Sequence, residues 1–209
     1  MSVPSFSMRA GETVLLLGES GSGKSTLLSL ICGVIAPLEG QVSVAGKDIA
    51  ALPAGARDSF RAEMIGVIFQ QFNLLPFGSV QDNVALPLRF APGRRAQAGP
   101  PKEAARRLIE ALGLAPGLLA SRASQLSVGQ QQRVAVARAL IGAPPLVIAD
   151  EPTSALDAGS QEAFLALMFD QLRASGAALI MVSHDARLAG RFERVIEMAE
   201  IAQTEHATA

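Results

Sequence analysis

A chain of 209 residues is long enough for one large domain and short for two. Its 18 basic and 19 acidic side chains leave a formal charge of −1 and no electrostatic footprint for nucleic acid. The one cysteine, Cys32, excludes a disulfide framework and reads as a packing residue in an apolar stretch. The longest uncharged apolar run, Thr26 to Leu38, is too short to span a membrane and contains Gly33 and Pro37. With no basic and apolar signal regions at the N-terminus, the expectation is a cytosolic chain that does not itself cross a membrane. Hydrophobic residues nevertheless make up 49%. Strands buried on both faces account for part of that excess, and a surface covered by a partner for the rest.

In residues 1–12 only Phe6 and Met8 are placed to alternate into a core. The run Thr13-Val-Leu-Leu-Leu17 then reads as a buried strand, and Leu27 to Cys32 as a helix. Between them lies Gly18-Glu19-Ser20-Gly21-Ser22-Gly23-Lys24-Ser25-Thr26. Strand, glycine loop and helix in that order form a phosphate-binding turn. The glycines let successive N–H groups point at one anion, the helix start adds partial positive charge, Lys24 adds a full charge, and Ser25 offers a hydroxyl to Mg²⁺. Gln41 to Ala45 alternates like a half-buried strand, residues 56–63 suggest a short helix, and Ile65 to Phe69 read as a second buried strand ending at Gln70. From Gln71 to Phe90 large apolar groups are interleaved with Pro76, Gly78 and Pro87 in an irregular segment, which fits a docking surface or a subdomain core equally. Ala91 to Pro101 reads as a loop and as the best candidate for disorder. An amphipathic helix runs from Pro101 to Leu112, stopped by Gly113.

Ser127 with Gln130 fits a capping box opening a helix to about Gly142. Leu146 to Ala149 is a third buried strand ending in Asp150-Glu151. Residues 161–174 are helical, and Ala177 to Val182 is a fourth apolar strand ending at Ser183-His184. A short strand near Val195 precedes a polar tail that holds His206, assigned to solvent.

Strands separated by helices argue for a parallel or mixed sheet covered on both faces, with ligands beyond the carboxyl ends of the strands. Four apolar runs finish there in candidate chemical groups: the glycine loop, Gln70, Asp150-Glu151 and His184. Adjacent carboxylates in extended backbone point to opposite sides, so Asp150 with Ser25 suits Mg²⁺, while Glu151 suits an attacking water as base or positioner. Gln70 is a neutral contact to metal and water, and His184 a donor to the γ-phosphate. Ser127 and Gly129 form a second helix start suited to an anion. Either it is only a capping box, or it meets a nucleotide held by another copy of the chain.

The order of these elements resembles the nucleotide-binding subunits of ABC transporters across nearly the whole chain. Gly18 to Thr26 is similar to the Walker A loop, Gln70 to the Q-loop, Leu126-Ser-Val-Gly-Gln130 to the signature, and Leu146 to Asp150 to Walker B. Glu151 is similar to the catalytic glutamate, Ser154-Ala-Leu-Asp157 to the D-loop and His184 to the switch histidine. Residues 69–76 and 126–133 resemble the lipoprotein-release and macrolide-export branch. The resemblance implies an α/β P-loop fold: a mostly parallel sheet, a helical subdomain at about 72–142 and a reduced antiparallel β subdomain in a single 1–209 ATPase domain. It implies ATP and Mg²⁺, with Ser25, Gln70 and Asp150 at the metal. It implies a head-to-tail dimer in which Ser127, Gly129, Gln130 and Asp157 reach the partner copy's ATP. It also implies an integral membrane permease subunit received near Phe72 to Leu88, and a place on the inner face of the cell membrane.

Two departures carry expectations. Val128 stands where the signature usually has glycine, while Ser127 and Gly129 are retained, so function is expected to survive. Only 17 residues precede Gly18, the chain has no Tyr or Trp, and Phe6 aligns with a core position rather than with the family's adenine-stacking aromatic. Weak nucleotide affinity and poor selectivity between ATP and GTP are therefore expected. The rival readings are a regulatory ATP-dependent clamp on a membrane or envelope protein, and a degraded protein that binds nucleotide without hydrolysing it.

Overall fold

The computed structural model describes residues 1–154 and 156–202; the tail with His206, and Ala155, lie outside the described residues. In chain order the strands are β1 (Thr13–Leu17), β2 (Ser43–Val44), β3 (Lys47–Asp48), β4 (Ile65–Ile68), β5 (Leu146–Asp150), β6 (Ala178–Ser183) and β7 (Arg194–Glu197). The α-helices are α1 (Lys24–Ile31), α2 (Ala54–Met64), α3 (Val80–Ala85), α4 (Pro92–Ala98), α5 (Pro101–Ala111), α6 (Val128–Leu140), α7 (Ala158–Ser175) and α8 (Met198–Ile201). Five strands form a wholly parallel sheet in the order β4-β5-β6-β1-β7, and β2 and β3 pair as a small antiparallel hairpin.

Alternation along the strands divides the core into two layers. Leu15, Leu17, Ile68, Val147, Ala149, Leu179 and Met181 face the cluster that holds α5, α6 and α7. Val14, Leu16, Ile65, Leu146, Ile148, Ile180 and Val182 face the cluster built on α1. Because side chains alternate with period 2, strands covered on both faces must be apolar throughout, and this accounts for the solid hydrophobic runs. Phe6 belongs to the second layer, half-buried, with the Arg194 guanidinium 5.9 Å from its ring centroid.

Parallel register fixes where the strands let go of the chain. Ile68 pairs with Ala149, Asp150 with Val182, and Leu17 with Ser183. The residues that follow all four strands therefore emerge along one edge of the sheet.

The segment between β4 and β5 differs from its sequence reading. Residues 71–79 are irregular, but Ser79 caps α3 in a capping box with Asp82, so the stretch to Phe90 is largely helical. Phe72, Val80, Val84 and Leu88 are buried core, whereas Phe77 and Phe90 remain 77% and 65% exposed. The expected loop at Ala91–Pro101 is the helix α4. Proline at its first position already has a helical φ. The Glu63 carboxylate accepts the Gly93 and Arg94 N–H groups at 2.8 and 3.0 Å. Arg94, 3% exposed, donates from Nε to the Ile141 carbonyl at 2.9 Å and from Nη2 to that of Ala139 at 2.9 Å. Burial lowers its guanidinium pKa to about 10.

Candidate active site

The glycine loop leaves β1 at Leu17 and closes onto α1. Gly21 (φ 84°) and Gly23 (φ 93°) occupy the left-handed region, where a side chain is disfavoured. Gly23 is the N-cap of α1 and supplies no side-chain cap, so the first N–H groups of the helix are open to an anion. Lys24, 7% exposed, folds back, its Nζ donating to the carbonyls of Gly18 at 2.6 Å and Glu19 at 2.7 Å. Ser22 Oγ is buried without a protein partner.

Facing the loop are the ends of β4, β5 and β6. Glu151 has a left-handed backbone (φ 44°), rare for a residue with a side chain. It is fixed on both sides: its N–H donates to Val182 O at 3.0 Å, and its carbonyl accepts from Ser154 N at 3.2 Å and Oγ at 3.1 Å. Its carboxylate Oε2 lies 2.9 Å from His184 Nδ1. Burial, then the neighbouring Glu151 charge, raises the Asp150 carboxyl pKa, with Lys24 acting in the opposite direction.

These groups border an open-sided cavity of about 480 Å³, within the range of small-molecule sites. Ser20, Gly21, Gly23, Lys24, Ser25 and Thr26 form one wall, and Gln70, Asp150, Glu151 and His184 the other. Gly18, Glu19 and Ser22 belong to the loop but not to the cavity lining. Ser127, Gly129, Gln130 and Asp157 also lie outside it. Ser127 Oγ accepts from Gln130 N at 3.3 Å and Gln130 Oε1 from Ser127 N at 2.9 Å, so the capping box is formed while the hydroxyl proton stays available to donate. Val128, 53% exposed, takes the first helical position of α6. Asp157 caps α7 by accepting from Ser160 N at 2.9 Å.

Sequence reasoning passed over a supporting set. Gln161 donates to Thr153 Oγ1 at 3.0 Å and reaches Asp185 Oδ2 at 3.4 Å. Bonding to Arg187 lowers the Asp185 pKa to about 2. On α6, Gln132 donates to Pro152 O, and Arg138 to the carbonyls of Phe72 and Asn73. The one signal available was polar residues inside an apolar helical run, a pattern that does not name their partners.

The donors present fit a divalent cation. Among the described residues no three His, Cys, Asp or Glu side chains cluster into a protein-only cage. The wall does offer one carboxylate whose charge Lys24 offsets only in part, Asp150, with exposed Ser25 and Gln70 on the same cavity. That sparse oxygen set suits Mg²⁺, which uses one or two carboxylates and completes its shell with phosphates and water.

A parallel sheet that delivers a glycine loop with its lysine, an aspartate–glutamate pair, a glutamine and a histidine to one cavity defines a P-loop nucleoside triphosphatase. The model of the ABC transporter family matches residues 1–154, and the chain belongs to that family as one of its ATP-hydrolysing cassettes. It is 46% identical over 191 residues to the lipoprotein-releasing system ATP-binding protein LolD of Anaeromyxobacter dehalogenans, covering 91% of this chain and 79% of that protein. It is 40% identical over 195 residues to the macrolide export ATP-binding/permease protein MacB of Rhodopirellula baltica, covering 93% of this chain but 28% of that protein. A solved ATP-binding cassette, described as a dimer in a post-hydrolysis state bound to ADP and Pi, superposes with a TM-score of 0.80. Its identity is 37%, over 92% of this chain and 83% of that one.

Proposed function

We propose that this chain is the ATP-hydrolysing subunit of a transporter, closing head-to-tail with a second copy around two ATP molecules and driving an integral membrane permease subunit. The observation that carries the reading is the convergence of Lys24, Gln70, Asp150, Glu151 and His184 on one cavity while the Ser127 helix start lies outside it. A half-site open on one side and an anion-ready helix start elsewhere on the chain are the two parts that a head-to-tail pair brings together. The dimeric cassette with 37% identity supports pairing of two copies.

In this reading residues 18–26 hold the triphosphate, and Ser127, Gly129, Gln130 and Asp157 contact the nucleotide on the partner copy. Ser25, Gln70 and Asp150 hold Mg²⁺, which when bound neutralises phosphate charge. Glu151 accepts a proton from the attacking water or orients it, and His184, already bonded to Glu151, is placed to donate toward the γ-phosphate. The chain is a single ATPase domain in which residues 72–142 form the helical subdomain. Among the described residues no helix is long and apolar enough to cross a membrane, so attachment to the inner face of the cell membrane falls to the permease. Exposed Phe77 and Phe90 are the apolar groups offered to it. The names of the relatives, a lipoprotein-releasing system and a macrolide exporter, favour release or export over import.

The test is steady-state hydrolysis by the purified chain with Glu151→Gln beside it. The variant is expected to lose about 10²–10⁴-fold in kcat and to accumulate as an ATP-bound dimer in light scattering. A variant that hydrolyses at the wild-type rate, or stays monomeric with ATP, overturns the reading. Transport driven by ATP in vesicles carrying a co-purified permease separates a transporter from a regulatory clamp.

A further inference from the structure

Five described non-glycine residues have positive φ: Ala45, Phe72, Asn73, Ala143 and Glu151. One of them lies in the cavity wall and two follow closely on a residue that does. Glu151 (φ 44°) lines the cavity, while Phe72 (φ 59°) and Asn73 (φ 48°) make the turn just after Gln70. Left-handed residues with side chains persist only where their surroundings over-determine them. Here two buried side chains of one helix supply part of that constraint.

Gln132 is 1% exposed and donates from Nε2 to the carbonyl of Pro152, the residue after Glu151. Arg138 is 8% exposed and donates from Nη1 to Asn73 O at 2.7 Å and from Nη2 to Phe72 O. No carboxylate pairs with Arg138 among the described residues, so backbone carbonyls carry its charge. The two side chains sit six residues apart on α6, about 9 Å along the axis and on different faces, so one helix reaches both loops. The helix itself is anchored: Val134 to Leu140 are all buried, and Arg94 holds the Ala139 and Ile141 carbonyls at its end.

We propose that α6 is a two-point clamp in which Gln132 and Arg138 are positioning residues, holding the turns that aim Glu151 and Gln70 into the ATP cavity. The clamp rests on the hydrolytic reading above and extends it to groups that touch neither nucleotide nor water. It also makes the helix that starts at Ser127 the element that sets the catalytic turns of its own chain, so the surface offered to a second copy and the local water-facing groups share one rigid body.

The experiment uses the full chain and measures hydrolysis beside stoichiometric binding of a fluorescent ATP analogue, which counts folded sites. Gln132→Met keeps the side-chain length and removes the donor. It is expected to lower kcat per binding site about tenfold to a hundredfold, the scale of a small misplacement, with KM for ATP within about twofold. Gln132→Leu, which is apolar and removes both amide groups, is the second variant if the first does not fold. Arg138→Lys can reach one of the two carbonyls and is expected to lower kcat several-fold, yet to add no further loss in a Gln70→Ala background, because it acts through Gln70. Wild-type kcat per site in the Gln132 variants, or a multiplied loss when Arg138→Lys is combined with Gln70→Ala, overturns the clamp. A wild-type chain that does not turn over ATP defeats the hydrolytic reading instead.

Discussion

The two walls of the cavity reach unusual backbone conformations by opposite means. On the phosphate side the left-handed positions are Gly21 and Gly23, which adopt them without a steric cost, and the loop is a local unit that runs from the end of β1 into the first turn of α1. On the opposite side the left-handed residues are Phe72, Asn73 and Glu151, held by Arg138, Gln132, Ser154 and Val182 from up to 66 positions away in sequence. The first wall is built to receive an anion wherever its strand and helix form. The second exists only in the assembled domain, so its aim can be set by distant groups and is vulnerable to their loss.

The contrast is open to direct attack. The largest effect is expected for Arg138→Met, which strands two carbonyls beneath the Gln70 turn. The predicted cost is roughly 2–4 kcal/mol, read as a fall in melting temperature of about 5–15 °C; a change under 2 °C shows that the second wall is not held this way. A smaller effect is expected for Gly21→Ala. Nothing lies within 4 Å of the added Cβ, so backbone strain acts alone, at about 1–2 kcal/mol. Denaturant unfolding measures it, and a neutral result means the loop gains nothing from glycine at that position.

The smallest effect has the opposite sign. Asp150 carries a raised pKa because burial and Glu151 oppose its charge. The folded chain therefore holds that proton more tightly than the unfolded one, and stability drawn from it fades as pH rises from the ordinary value of 3.8 through the raised one. Without nucleotide, Asp150→Asn is expected to melt roughly 1–3 °C above wild type at pH 7, with the gap closing near pH 4. A gap independent of pH assigns the change to packing instead.

The misread elements follow the same division. Helix α4 carries Pro92 and Gly93 at its start and Gly99 at its end, so local propensity reads it as a loop; the Glu63 carboxylate and the carbonyls met by Arg94 fold it, and both belong to distant elements. Helix α3 is a different case. Its Ser79-x-x-Asp82 box was in the sequence but was masked by Pro76, Gly78 and Pro87.

What the sequence determined by itself was whatever is local or periodic: the apolar runs that become buried parallel strands, the glycine loop between the first strand and its helix, the capping box at Ser127, and the residues that each strand end carries. Tertiary structure alone decided that those ends share one edge in register, that Glu151 bonds His184, that burial and Glu151 outweigh Lys24 at Asp150, and that Gln132 and Arg138 on α6 hold the turns around Glu151 and Gln70. The physical reason is range. Backbone freedom and hydrophobic period act between near neighbours along the chain, while a buried polar group takes its partner from whatever the fold brings within hydrogen-bond reach.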